Sequence, residues 1–498
     1  MGIYGRNWCP SLSLRHVKLD ISIYRESGIA RTCEKIMPAP GPCRWSRRGV
    51  IVLVPTRAAE DMASVAVPAV GRPLAPAFGR VLAQPPGGLA EMHRLRGRVP
   101  FWDSVVDEID GRRIRVGEHW LIDFASCNYL GFDLEPEISA VVPEYIARWG
   151  THPSWCRLVG NPRLFAEIEE ELAELLGAED TLLLPTISHI HFSVLPALAG
   201  AGAVFLERRA HQTIHEGARM ASARGAQVIR FREENLPDLA LKLAASDRYP
   251  RVICVDGVNS MTGNGPPLAE LAELAHRYDA VLYIDDAHGF GVLGERSVDE
   301  LSPYGSRGNG IVRHLGRDYD GLVLVGGFSK AYSSLLAFVA CPPEIRHFLR
   351  ITAGTYTYSG PPPVASLATA QAGLRFNAAH GDERRAELYR RTSRVLDGIR
   401  ALGLDTLNTT GFPIVEVPLA DPDLLEPLGR FLFERGILAT LVPYPIVPRG
   451  ETGFRLSVTA ANTDEEIEEL LRVIDAAADR FPLRRAADDR DPAQEAGG

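Results

Sequence analysis

The feature that most constrains this 498-residue chain is a series of short apolar runs separated by stretches of helix length. The runs fall at residues 181–184, 204–206, 227–231, 252–255, 281–284 and 322–325, and stretches such as 213–224 and 268–278 carry an apolar stripe at helical spacing. Parallel strands need a crossover of a dozen or more residues, usually a helix. The alternation therefore predicts an α/β fold with a mainly parallel, seven-stranded sheet and helices on both faces. The seventh run, 336–341, follows the sixth too closely for a helical crossover and is expected to pair antiparallel.

After a Pro-rich break at 360–363, a long helix from residue 364 and an α+β segment ending near residue 481 read as a second, smaller domain. The expected organisation is a disordered extension over 1–90, a segment over 91–165 joining the small domain, a large domain over 166–350, a small domain over 351–482 and a flexible tail over 483–498. The first ninety residues hold no persistent helical or strand period. Hydrophobic residues at 46% and charged residues at 23% exclude wholesale disorder. With 63 acidic against 54 basic residues, nucleic acid is not an expected partner. The best membrane candidate, residues 49–55, is far shorter than the roughly 18 apolar residues a spanning helix needs. Seven cysteines without a CxxC pair suit a reducing compartment, so the expectation is a cytoplasmic protein.

In open α/β sheets the working residues stand at the carboxyl ends of strands. Three such ends carry unusual residues here: Asp285-Asp286-Ala287-His288-Gly289, Gly326-Gly327-Phe328-Ser329-Lys330 and Glu207-Arg208-Arg209-Ala210-His211. Taken singly, each has an ordinary explanation. An Asp-Asp pair caps helices and turns, a lysine after two glycines is a solvated cation, and a lone histidine between strand and helix is a surface or core residue. Together they match a pyridoxal-phosphate site. Lys330 would form the Schiff base, Asp285 would keep the pyridine nitrogen protonated, His288 would reach the phenolic oxygen and His211 would lie on the ring.

Further motifs follow in order. They are Phe124-Ala-Ser-Cys-Asn-Tyr-Leu-Gly131, Arg157-Leu-Val-Gly160 with Ile168-Glu169, Asp256-Gly-Val-Asn-Ser-Met261 with Pro267-Leu268, Tyr358-Ser359 with Pro361-Pro362, and Phe454-Arg455-Leu-Ser-Val-Thr-Ala-Ala461. With them the chain resembles the α-oxoamine synthase family of fold-type-I pyridoxal-phosphate enzymes, from about Leu121 to Phe481. The resemblance implies a homodimer that condenses an amino acid with an acyl thioester, on coenzyme A or an acyl-carrier protein, with loss of CO₂. It assigns Lys330, Asp285, His288 and His211 the roles above and makes Ser260 a polar cofactor contact. It gives Arg455 the substrate carboxylate, places Asn128 near the amino acid, and brings Ser359 to the neighbouring subunit's cofactor.

Several positions depart from the family. Its Ser-Gly-Tyr/Phe phosphate loop is replaced by Pro185-Thr186-Ile187-Ser188, so the phosphate contacts are expected from Thr186, Ile187 and Ser188. The family's phosphate threonine before the lysine is Gly327, which passes that contact to Ser329. Ser333-Ser334-Leu335-Leu336 stands for a glycine-rich turn, Phe165 for a histidine, and Ala461-Asn462 for Ala-His. The spacings His189-x-His191 and His211-x-x-x-His215 resemble metal ligands, but His-Glu-x-x-His is missing and no metal is expected. The rival readings are an aminotransferase or another fold-type-I lyase, and a silent cofactor-binding homologue.

Overall fold

A computed structural model of the chain describes residues 75–83, 90–232 and 235–485. Pro76–Leu82 forms a short helix, started by a proline in its first turn and with no buried residue. This corrects the expectation of no regular structure there. A helix exposed all round has no apolar stripe, so periodicity misses it. The rest of the 1–90 expectation, residues 1–74 and 84–89, lies outside the described residues. The described residues from Ala90 to Arg485 form one compact unit.

Three strands, β1 (Glu108–Asp110), β2 (Arg113–Val116) and β3 (His119–Asp123), form an antiparallel meander. The central sheet follows, with β4 (Asp180–Leu184), β5 (Ala203–Glu207), β6 (Gln227–Phe231), β7 (Arg251–Asp256), β8 (Ala280–Asp285), β9 (Leu322–Gly327) and β10 (Ala337–Cys341) in the order β4-β10-β9-β8-β7-β5-β6. The pairs among β6, β5, β7, β8 and β9 are parallel. β10 lies antiparallel to both β9 and β4, as its short connection requires. Every residue of β5, β7, β9 and β10 is buried. Strands covered on both faces by helices read this way, as continuous Val/Ile/Leu-rich runs. β6, at one edge, carries Gln227 and Arg230 on exposed positions.

The smaller region is built on β11 (Ile414–Pro418), β12 (Ile437–Leu438), β13 (Thr440–Val442) and β14 (Gly453–Ser457), of which β11, β14 and β13 form one sheet. β12 instead pairs parallel with β3, extending the N-terminal meander. One face of the β11-β14-β13 sheet packs on two helices. Val364–Ala401 runs 38 residues and buries Val395, Leu396 and Ile399 there. Asp464–Arg480 begins with a capping box between Thr463 and Glu466 and buries Ile467, Leu470, Val473 and Ile474. The expected tail starts later than residue 483. Leu483 is buried and bridges Leu419, and Arg484 donates its backbone N–H to the Pro418 carbonyl at 2.9 Å. Residues 486–498 of that expected tail lie outside the described residues.

Candidate active site

Parallel β5, β7, β8 and β9 bring their carboxyl ends to one edge of the sheet. Asp256 and Asp285 are in register as the last residues of β7 and β8. His211 lies just past β5, and its backbone N–H donates to Asp256 Oδ1 at 3.0 Å. Lys330 lies three residues past β9, on a tight turn into β10. That turn is closed by Phe328 N–H to the Leu336 carbonyl (2.8 Å) and Ser334 N–H to the Phe328 carbonyl (2.9 Å). It also holds Ser333 in the left-handed region at φ 54°. Lys330 is half-buried and Ser329 exposed.

The two adjacent aspartates divide the work. Asp286 is the structural one. Fully buried, it accepts the Ile311 N–H at 2.9 Å, and a Cβ at Gly289 would come within 2.1 Å of its Oδ1. Burial, with Asp285 beside it, pushes its carboxyl up to about 8. Asp285 faces the cleft. Burial alone would raise its carboxyl, but the charge and hydrogen bond of His191, with Lys330 and His211, prevail and hold it at about 2. His191 is wholly buried, its Nε2 2.9 Å from Asp285 Oδ2 and its Nδ1 2.8 Å from the Tyr283 hydroxyl. An ionised carboxylate can only accept, so Nε2 carries the proton between them.

His211 caps the helix Gln212–Ala223, its ring accepting from Thr213 N–H, while the ring itself stays exposed. Desolvation, then Lys330 and His191, lower its basicity against the pull of Asp285. His288 is buried, with Nδ1 2.7 Å from the hydroxyl of buried Tyr129. Burial, followed by Lys330, Arg455 and His211, holds it well below the ordinary histidine range. It is therefore neutral at pH 7.

The helix Ile187–Ala199 starts beside this edge. Thr186 caps it by accepting the His189 N–H at 3.3 Å, which leaves the first backbone N–H groups, at Ile187 and Ser188, directed outward. Two departures from the family pattern explain each other here. A Cβ at Gly327 would lie 2.5 Å from Ile187 Cδ1, so the isoleucine side chain fills the space that a threonine at 327 would need. An ionised buried carboxylate, a helix start whose first N–H groups have no intrahelical partner, an exposed imidazole face and a half-buried lysine together fit pyridoxal phosphate. Asp285, Lys330, His211, His288 and the 186–188 helix start would hold it.

The sequence pattern of the aminotransferase class I and II family matches residues 121–474. An 8-amino-7-oxononanoate synthase of Alkalilimnicola ehrlichii is 34% identical over 368 residues, 73% of this chain and 88% of that protein. One from Thermosipho melanesiensis is 32% identical over 365 residues, 72% of this chain and 87% of that protein. The chain belongs to this family. Within it the chain is an α-oxoamine synthase relative, with pyridoxal phosphate as its cofactor. A solved serine palmitoyltransferase from S. paucimobilis superposes at a TM-score of 0.72 over 82% of this chain and 99% of that one. Its 24% identity speaks for the shared fold-type-I architecture.

Seen as an α-oxoamine synthase, the chain places the remaining expected residues as follows. Arg455, on β14, reaches across from the small sheet. Its Nη1 donates to the Ser260 carbonyl at 2.7 Å, and Nη2 lies 3.8 Å from Cys127 Sγ. Ser260 thus meets Arg455 through its backbone. Asn128 donates to Asp133 at 3.0 Å, and Asp133 also accepts from Arg112 through both carboxylate oxygens. Tyr358 is 90% exposed and neighbouring Ser359 is half-buried, donating to the Gly360 carbonyl at 3.0 Å. His189 is exposed and does not join His191, and among the described residues no group of three or more His, Cys, Asp or Glu is placed to hold a metal. Sequence reasoning missed His191 and Tyr129. The His189-x-His191 spacing was the available signal, and it pointed to a metal rather than to Asp285.

Proposed function

We propose that the protein joins an amino acid to an acyl thioester, on coenzyme A or a carrier protein, releasing CO₂ and the free thiol and leaving an α-amino ketone. The observation that carries this reading is the meeting, at one cleft, of Lys330, Asp285 held ionised, and Arg455. The relatives named 8-amino-7-oxononanoate synthase support it. Pyridoxal phosphate, when bound, supplies the electron sink for charge that develops at the amino acid's α-carbon. Asp285, ionised throughout the neutral range, holds a proton at the ring nitrogen. Arg455 binds the substrate carboxylate with a guanidinium whose fork suits it. Lys330 Nζ takes the α-proton and can return one, while neutral His288 and the open ring face of His211 orient the reacting groups.

The working unit is proposed as a homodimer in the cytoplasm. Exposed Tyr358 and half-buried Ser359 would be contributed to the neighbouring subunit's cleft, and no described helix is long and apolar enough to cross a membrane. The test is to incubate the holoenzyme with panels of amino acids and acyl thioesters. Stoichiometric free thiol and CO₂, with the amino ketone in the mass spectrum, are expected. Amino-group exchange with a keto acid and no thiol release would refute the reading.

A further inference from the structure

The hydroxyl of Tyr129 lies 2.7 Å from His288 Nδ1, across 159 positions of sequence. Tyr129 has no exposed surface and is clamped on three sides. Its N–H donates to the Cys127 carbonyl at 2.8 Å, its own carbonyl accepts the Ala460 N–H at 2.7 Å, and its ring packs edge-on to Phe412. His288 follows β8 on a loop that Asp285 Oδ1 closes by accepting the Ala287 N–H at 2.9 Å.

The direction of the bond between them follows from the chemistry of the two groups. His288 is neutral at pH 7, because burial and then Lys330, Arg455 and His211 all lower its basicity. A neutral imidazole carries a proton on one nitrogen only. Burial raises the Tyr129 phenol well above its ordinary range, with Cys127 and Tyr304 adding to it against Arg455, so the hydroxyl keeps its proton. That proton has two takers, His288 Nδ1 and Cys127 Sγ. Sulfur is a weak acceptor beside an imidazole nitrogen, so Tyr129 donates to Nδ1. His288 therefore carries its own proton on Nε2. Among the described residues Nε2 has no hydrogen-bond partner, and the titratable groups that bear on the ring, Lys330, Arg455 and His211, are those of the cleft.

We propose that Tyr129 is a positioning residue that acts through His288. By donating to Nδ1 it fixes the His288 proton on Nε2, and Nε2–H is given to the phenolic oxygen of pyridoxal phosphate. This role rests on that placing of His288, whichever substrates are condensed. A ring that accepts at one nitrogen becomes a stronger donor at the other. A donor at the phenolic oxygen stabilises its anion, which then holds less tightly the proton it shares with the Lys330 nitrogen.

The experiment follows the visible absorbance of the holoenzyme against pH, without amino acid or thioester, in the wild type, Tyr129→Phe, His288→Leu and the double variant. The pH at which the band changes reports how tightly that shared proton is held. Tyr129→Phe should raise it by at least ~0.5 unit, a roughly three-fold tighter hold, and His288→Leu by at least as much. On top of His288→Leu, Tyr129→Phe should add less than ~0.2 unit. An unchanged or lowered midpoint in Tyr129→Phe overturns the proposal, and so does a full shift in the His288→Leu background, since Tyr129 would then act elsewhere. A midpoint that His288→Leu leaves unmoved removes His288 from the phenolic oxygen; one moved by His288→Leu alone removes only Tyr129. Nitrogen-15 spectra of histidine-labelled wild type give an independent reading. His288 should be protonated at Nε2 and bare at Nδ1, and the reverse pattern overturns the proposal without need of a variant.

Discussion

Replacing His191 by leucine should separate the two jobs of the buried Asp285. The carboxyl is held at about 2 against an ordinary 3.8, a gap worth about 2.4 kcal/mol. Burial opposes the depression, and His191 supplies the two largest influences that overcome it. His191→Leu leaves a carboxyl with 5% exposure and no Nε2–H partner. Its affinity for a proton then rises above 3.8. In the wild type the depressed Asp285 contributes stability that is present above pH 3.8 and lost as pH falls through about 2. In the variant the raised carboxyl favours folding at low pH and loses that contribution as pH rises through its new value. The stability deficit of the variant should thus widen on going up from pH 3.8 and reach at least about 2.4 kcal/mol at pH 7. Urea unfolding of the apoprotein at pH 4, 5, 6 and 7 measures it, with His191→Asn as a milder control. In parallel, kcat of the holoenzyme should fall by at least ten-fold at neutral pH, because a protonated Asp285 cannot hold the ring nitrogen's proton. A deficit under about 1 kcal/mol at pH 7, together with unchanged kcat, would refute the reasoning.

Buried Glu416, on β11, gives the opposite pH signature. Its carboxyl sits near 8 instead of 4.5, so its stabilisation is lost as pH rises through that window. Wild type should lose up to about 1.4 kcal/mol per pH unit relative to Glu416→Gln, measured by urea unfolding at pH 5, 7 and 9. Gly327→Thr should weaken cofactor affinity by forcing Ile187 aside, and Ile187→Gly in the same chain should restore it, as read by fluorescence titration of the apoenzyme with cofactor; failure of the rescue would break the link between those positions. Borohydride reduction of the holoenzyme followed by peptide mapping should label the peptide containing Lys330, and Lys330→Ala should carry no label; label on another lysine would remove the site. Light scattering should report a dimer, and mixing inactive Lys330→Ala with a Tyr358→Ala, Ser359→Ala double variant should show hybrid activity if each cleft draws those residues from its neighbour.

Much of this arrangement was legible because its physics is local in sequence. All seven strands of the central sheet were visible as apolar runs, and the antiparallel setting of β10 followed from the length of its connection. Lys330, Asp285 and His211 were legible because strand ends concentrate chemistry. What stayed hidden depends on contacts far apart in the chain. His191 meets Asp285 across 94 positions, and the Tyr129–His288 contact spans 159. β1 to β3 were missed because their exposed residues break strand alternation. The partnership of Ile187 with Gly327 turns two apparent losses into one exchange of volume, which neither position reveals alone.

The setting of β10 also has a consequence during synthesis. Ala337 pairs with Leu184, so 337 − 184 = 153 residues must be made after β4 before its partner exists. As a chain emerges N-terminus first, β4, with its apolar Leu182-Leu183-Leu184, waits with an open edge of unpaired backbone groups. Ribosome-bound chains that stop short of residue 337 therefore present a sticky strand and lack the lysine turn's second anchor. Prematurely terminated products of this length should be chaperone clients, and cofactor capture by a nascent chain should begin only after β10 has cleared the exit tunnel.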